Sequence, residues 1–470
     1  MAADAGDTAA VAAGAVSAGK LVPFFSFLAK RPGRAHNLPM KILSLLPVFL
    51  VCALSWAHAQ TRPIVLRAAR IFDGVSERVA SPGVVVILGD KIRGVGPNAE
   101  IPAGSEVIDL GDSTLLPGFI DAHTHLSQSY VADRREADLN DLQRTVAEKA
   151  LRASVNARVT LMAGFTTVRD VGADDFIDVG LRNSIRDGAI LGPRMLVSTH
   201  AIGTTGGHCD GSAGFRFGLF GRETGIEDGI ANSPDAMRAT VRFNIKYGAD
   251  LIKVCATGGV LSPTDDVDTP QLTQAELDAL VDEAHALRRK TAAHAHGAEG
   301  AKRAIRAGID SIEHGTFMDD EALEMMKARG TYYIPTELAL EGVKETLEKG
   351  YLPPLIAAKG RAAMASLDKT VQNAIKRGVK IGLGTDAAVY PHGRNAEEFG
   401  LLVRNGMKPI DALKAGTSVD AQLLGVFGTT GSIEQGKSAD IVAVPGNPLE
   451  NIRSTEKVSF VMKEGIIYKR

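Results

Sequence analysis

Leu116-Pro117-Gly118-Phe119-Ile120-Asp121-Ala122-His123-Thr124-His125 is the stretch on which the fold turns. It is a short apolar run closed by two histidines one residue apart. Residues i and i+2 of a strand point to the same face. His123 and His125 therefore stand side by side at a strand tip, where two imidazoles can share one metal ion. The pair alone does not decide the matter, because His-x-His also occurs on ordinary surfaces.

Four more runs repeat the pattern. Leu251-Ile252-Lys253-Val254-Cys255 is a β-rich run with a lysine in its middle. Thr291-Ala-Ala-His294-Ala-His296, Ser311-Ile-Glu313-His314 and Ile381-Gly-Leu-Gly-Thr-Asp386 each end in polar groups followed by glycine or loop. A lone buried histidine is usually a satisfied core residue. A buried lysine is stranger, since burying an unpaired ammonium is very costly. Five strand ends in one chain, each offering a ligand type, are hard to reach by accident.

The segments between them read as helices. From Thr273 to Lys290, Thr273 and Glu276 form a capping box, and Leu277, Leu280, Val281, Ala284 and Leu287 make one apolar face. Asp319 to Arg329 is similar, with Gly330 as its stop. His285, on the first of these helices, reads as solvated. Strands are expected near 118–126, 165–171, 194–198, 251–256, 291–297, 311–316, 331–336 and 381–387. Eight strands alternating with helices favour an α/β fold of the (β/α)8 TIM-like barrel type, whose active site lies at the C-terminal strand ends. The candidate ligands fall there, on strands 1, 4, 5, 6 and 8.

Over roughly residues 62 to 470 the chain resembles the amidohydrolase superfamily, and within it the metal-dependent Xaa-Pro dipeptidase (prolidase-like) and ochratoxinase-type amidase group. The resemblance is carried by Pro117-Gly-Phe-Ile-Asp-Ala-His-Thr-His125, Gly164-Phe-Thr-Thr-Val-Arg169-Asp170 and Thr205-Gly-Gly-His208. Ile252-Lys253, His294-Ala-His296-Gly, Glu313-His314-Gly and Gly384-Thr-Asp386 complete it. It implies two divalent metal ions, with zinc expected from imidazole and oxygen donors. His123, His125 and Asp386 would hold one ion and His294 and His314 the other. Lys253, carboxylated by carbon dioxide, would bridge them as a carbamate. Carboxylation turns a cation into an anion, so the lysine no longer repels the metals.

The resemblance further implies attack on an amide carbonyl by a metal-bridging hydroxide. Asp386 would pass the proton to the leaving nitrogen. The expected substrate is a small molecule or dipeptide with a free carboxylate: a dipeptide, an N-acyl amino acid or an ochratoxin-like amide. His208 and His296 are candidates for catalysis and substrate contact. Arg216 and Arg222, in the loop after strand 3, are further candidate cations, and Phe215, Phe217 and Phe220 could line an apolar pocket. Arg169 and Asp170 read as an internal ion pair. A cyclic-amide hydrolase of the imidazolonepropionase type is the alternative, although Lys253 argues against it. A non-catalytic barrel scaffold is a third reading, which the full ligand set disfavours.

The ends of the chain have their own organisation. Short β-like runs within 60–116 and 430–470 are expected to join into one small β-sandwich beside a catalytic barrel at 117–429. Met40-Lys41, the apolar run Ile42 to Trp56 and Ala57-His58-Ala59 read as a signal peptide over 40–59, preceded by a non-structural extension at 1–39. The product is expected in the periplasm or secreted, cut near Ala59, with no stable membrane anchor. Lys plus Arg number 53 and Asp plus Glu 55, so no charge imbalance points to nucleic acid. A homo-oligomer is expected. Cys209 and Cys255 are read as free thiols by default, with a bridge as the alternative that export allows.

Overall fold

The computed structural model describes residues 62–470. The signal-peptide reading, the cut near Ala59 and the 1–39 extension lie outside the described residues. Among the described residues, no helix is long and apolar enough to cross a membrane.

The opening stretch divides at Gly118. Ser113–Pro117 belongs to one sheet and Phe119–Thr124 begins another. A Cβ at position 118 would stand 2.1 Å from Thr166 Oγ1, so only glycine lets the two elements approach this closely. Phe119–Thr124, Phe165–Asp170 and Arg194–Val197 form a parallel three-stranded sheet in that order. Leu251–Cys255, Lys290–Gly297, Ser311–Phe317 and Tyr332–Ile334 form a parallel four-stranded one. Isolated parallel bridges link the two: Ile202 to Val254 on one side, and Tyr333 to Ile381 and Thr124 to Ala387 on the other.

Seven of the eight expected strands are present within a few residues of their expected limits. The eighth, 381–387, makes bridges only at its two ends. Its backbone still bonds both neighbours, with Gly382 N donating to Tyr333 O at 3.0 Å and Asp386 N donating to His123 O at 2.8 Å. Gly382 and Gly384 explain the gap, since a glycine pair weakens a strand yet allows close packing.

Helices cover the strands as the periodicity requires. Gln274–Ala286 is capped by Thr273, and Glu276 returns the bond to the Thr273 N–H; Leu277, Leu280, Val281 and Ala284 are buried. Asp320–Arg329 is capped by Asp319 and ends at Gly330, which takes φ 72°. His285 is exposed and bonds Asp310.

The two chain ends share a second core. Lys91–Val95, Gly83–Leu88, Ile64–Ala68 and Glu106–Asp109 form a four-stranded sheet in that order. Ile466–Lys469, Phe460–Lys463, Ile441–Pro445, Ser113–Pro117 and Arg70–Ile71 form a five-stranded one. Leu66, Ile87 and Ile108 from the first and Leu115, Ile441 and Phe460 from the second lie in one buried apolar cluster.

Candidate metal centre

The strand ends converge on one cavity of about 990 Å³, lined by His123, His125, His208, Lys253, His294, His296, His314 and Asp386 among others. Two groups could each hold a metal ion. His123, His314 and Asp386 bring their ligand atoms within 4.8 Å of one another, as do His294, His296 and His314. Asp386 Oδ1 lies 3.2 Å from His125 Nε2 and 3.5 Å from His123 Nε2. His296, expected beside the ligand set, lies in the second of these groups.

Each imidazole is gripped by one ring nitrogen. His123 Nδ1 lies 2.8 Å from Glu313 Oε2, and His125 Nδ1 lies 3.0 Å from Gly172 O. His296 Nδ1 and His314 Nδ1 meet the hydroxyls of Thr316 and Thr336 at 2.8 and 2.7 Å. His294 Nε2 donates to Gly258 O at 3.1 Å. Partners of this kind orient metal-binding imidazoles and set which nitrogen carries the lone pair. Among the described residues, His123 Nε2 is buried with no hydrogen-bond partner. A buried polar atom left alone is costly, and a cation in its lone-pair direction would satisfy it. The donor set fits a divalent metal.

The electrostatics agree. Burial lowers His123 to about 4 and His296 to about 3, so both are neutral donors at pH 7. Burial also brings Lys253, only 3% exposed, down to about 8 from 10.5. Burial works against the Asp386 carboxylate, but His123, His125 and Lys253 outweigh it and hold its pKa below the ordinary range. His314 and Asp386 both take left-handed backbone, with φ 69° and 57°. Such strain in non-glycine residues persists only where the surroundings over-determine it. Gly384 permits the approach of its run to the first strand, since a Cβ there would stand 2.8 Å from His123 Cβ.

Some expectations are corrected. Arg169 does not pair with Asp170. It donates to Glu313 at 2.8 and 2.9 Å and to Ser311 Oγ at 2.9 Å. Asp170 instead accepts from the Leu126 N–H at 2.6 Å. Neighbours on a strand point to opposite faces, which separates the two side chains. Arg216 is exposed, its side chain donates to the Phe217 carbonyl, and it does not line the cavity. Arg222 does line it, but Asp228 holds it bidentately at 2.6 and 2.7 Å. Phe215 and Phe220 line the cavity, whereas Phe217 is 89% exposed. Cys209 and Cys255 are paired as a disulfide, with Cα atoms 6.0 Å apart, rather than free.

Sequence reasoning gave no role to Glu313, which links Arg169 to His123. Nor did it use Thr316, near the end of Ser311–Phe317, and Thr336, just past Tyr332–Ile334, whose hydroxyls at the strand ends were the available signal.

A model described as the amidohydrolase family matches residues 114–467. The ochratoxinase of Aspergillus niger is 32% identical over 433 residues, covering 87% of each chain. A solved Xaa-Pro dipeptidase with methionine bound in its active site superposes with a TM-score of 0.81 at 40% identity, covering 87% of this chain and all (100%) of that one. A prolidase complexed with N-methylphosphonate-L-proline gives 0.77 at 30% identity, covering 87% and 100%. The chain belongs to the amidohydrolase family and is a hydrolase of amide or peptide bonds.

Proposed function

We propose that the chain is an exported, binuclear metal-dependent amidohydrolase that releases a C-terminal amino acid from dipeptides, N-acyl amino acids or ochratoxin-like amides. The observation that carries this reading is the set of five oriented imidazoles, Lys253 and Asp386 around one cavity. His123, His125 and Asp386 would hold one ion, His294 and His314 the other, and carboxylated Lys253 would bridge them. When bound, such ions polarise a carbonyl and lower the pKa of a water towards ~7. Zinc suits these donors.

The residues of the chain do the rest. Asp386 takes up a proton at its free carboxylate oxygen and returns it to the leaving nitrogen. His208 and His296 face the substrate, and Arg222 stands at the rim. A free carboxylate on the leaving side is supported by the ligands named for two similar structures, methionine in one and a proline derivative in the other. We also read the bridged ring of strands as a closed (β/α)8 barrel over 117–429. The two sheets of the chain ends then form one sandwich domain, 60–116 with 430–470. Export would leave a chain beginning near Gln60 that shows no tryptophan fluorescence, since Trp56 is the only tryptophan, and intact mass of the mature protein tests this.

The test of function is a hydrolysis screen of dipeptides and N-acyl amino acids on zinc-loaded protein, each paired with its C-terminal amide. Losing one charge-assisted contact of ~1.5–3 kcal/mol lowers kcat/KM roughly ten- to a hundredfold. Equal rates on acid and amide would reject carboxylate recognition.

A further inference from the structure

His208 is held more tightly than a loop residue needs to be. Its ring lies against the Gly259 backbone, where a Cβ would come within 2.1 Å of Nδ1 and Cε1. Its other face stacks on His294 with ring centres 4.1 Å apart. The next residue, Cys209, is tied to the Lys253 strand through Cys255.

Behind the ring stands a polar cluster used by nothing described so far. His208 Nδ1 lies 3.1 Å from Ser262 Oγ. Ser262 Oγ lies 2.6 Å from Asp265 Oδ1 and 3.1 Å from Gly259 O. Asp265 Oδ2 accepts from Gln271 Nε2 at 3.0 Å, and Gln271 Oε1 accepts from the His208 N–H at 3.0 Å. Asp265 thus reaches both the ring and the backbone of His208. Buried Lys359 completes the cluster, donating to Asp265 Oδ1 at 2.9 Å and to the carbonyls of Ser262 and Asp265 at 2.7 and 2.8 Å.

The direction of these bonds can be worked out. Paired with Lys359, Asp265 is a carboxylate and can only accept, and so can the Gly259 carbonyl. The single Ser262 hydroxyl proton goes to one of them. Ser262 Oγ can therefore only accept from His208, so the proton of the ring sits on Nδ1. The nitrogen left for the cavity is Nε2, which in a neutral imidazole carries a lone pair.

We propose that Asp265, acting through Ser262 and Gln271, is a positioning residue that fixes His208 as its Nδ1–H tautomer, so that Nε2 accepts a hydrogen bond from the scissile N–H of a secondary amide. The proposal rests on the proposed release of a C-terminal amino acid and narrows its substrate class. A ring stacked on a candidate metal ligand lies beside the bond to be cut. An acceptor there serves an N-acyl amino acid or an ordinary dipeptide. It has no partner in an Xaa-Pro bond, whose nitrogen bears no hydrogen.

The test uses two phosphonyl inhibitors built on phenylalanine, identical except that one carries a P–NH link and the other P–O. Their Kd values are measured by calorimetry on zinc-loaded protein at pH 8, where an ordinary imidazole is neutral. The wild type should bind the P–NH compound roughly tenfold or more tightly, because the P–O compound leaves the acceptor unpaired. Ser262→Ala and Asp265→Asn should bring the ratio towards one at unchanged metal content, and Ser262→Thr should restore it. Nitrogen-15 spectra of histidine-labelled protein, with His208→Gln as the assignment control, should show an unprotonated Nε2 at His208. Equal Kd values in the wild type, a ratio that the Ser262 and Asp265 variants leave unchanged, or an Nε2–H tautomer would overturn the proposal. Failure to bind either compound would overturn the proposed release of a C-terminal amino acid instead, and the tautomer measurement would still decide the positioning claim.

Discussion

To take up carbon dioxide as proposed, Lys253 would have to lose a proton, and its burial favours that loss. With its pKa brought down to about 8, a far larger share of the amine is neutral near pH 7 than for a free lysine. Lys253→Arg, which forms no comparable stable carbamate, is expected to lose metal and activity. Lys253→Ala should partly recover with added short carboxylic acids. Metal content and kcat check both, and an Arg variant with full activity would exclude the bridging role. Asp386→Asn keeps an oxygen donor but cannot shuttle a proton. It should retain much of its metal and lose kcat by ~10²–10⁴-fold; a wild-type kcat at normal metal content would remove the shuttle. The candidate ligand histidines and Asp386 were legible in sequence because they follow apolar runs towards the same end of their strands, and Lys253 because an ammonium in the middle of such a run is costly to bury. Glu313 was not, because its importance comes from Arg169 and His123 on two other strands. The Arg169–Asp170 reading failed on a rule already in hand, the alternation of side chains along a strand.

At the scale of elements, side chains that join one strand to another carry the argument. Arg169 and Glu313 tie Phe165–Asp170 to Ser311–Phe317, and both are essentially fully buried. Burial works against the Glu313 carboxylate, but Arg169 and His123 outweigh it and bring its pKa to about 2. Glu313→Gln leaves a buried guanidinium underpaired. It should cost ~3–5 kcal/mol in denaturant unfolding and weaken metal binding about 10–100-fold by freeing His123. Normal stability and affinity would show that the pair is dispensable.

Asp440 plays the same part at another junction, with Arg194 Nη1 at 2.7 Å and the Glu464 N–H at 2.8 Å. Burial works against its carboxylate, yet Arg194 outweighs it, so the folded pKa lies below the ordinary value. The stability this pair contributes is present above the unfolded pKa of ~3.9 and is lost as pH falls below it. Asp440→Asn should therefore cost about 3 kcal/mol at pH 7. The Tm gap to wild type should shrink as pH drops below ~4; a gap constant with pH would reject the assignment. Strand positions were readable from apolar runs bounded by glycine. The missing ladder at 381–387 was not, because Gly382 and Gly384 answer to what packs on them: Asp420 Oδ1 would lie 2.2 Å from a Cβ at 382.

For the whole molecule, the cavity makes metal content a stability variable. Ligand that binds only the folded state stabilises by ~2.7 kcal/mol at a hundred times its Kd. Stripping with a chelator should abolish hydrolysis and lower Tm, and zinc should restore both. A Tm indifferent to zinc would show that the imidazole cluster binds no metal. The barrel-like alternation and the pairing of the chain ends were legible at this scale. The disulfide was not, since the distance between Cys209 and Cys255 depends on how the loop after the third strand folds back.

The antiparallel pairing of Ser113–Pro117 with Ile441–Pro445 has a consequence for the order of synthesis. Thr114 bonds the Gly446 carbonyl across 332 positions of chain. A growing polypeptide therefore holds this edge open until Ile441–Pro445 has been made. Asp386 is made well before Ile441–Pro445, so a chain stopped between the two keeps every candidate metal ligand and still lacks the strand that pairs with Ser113–Pro117.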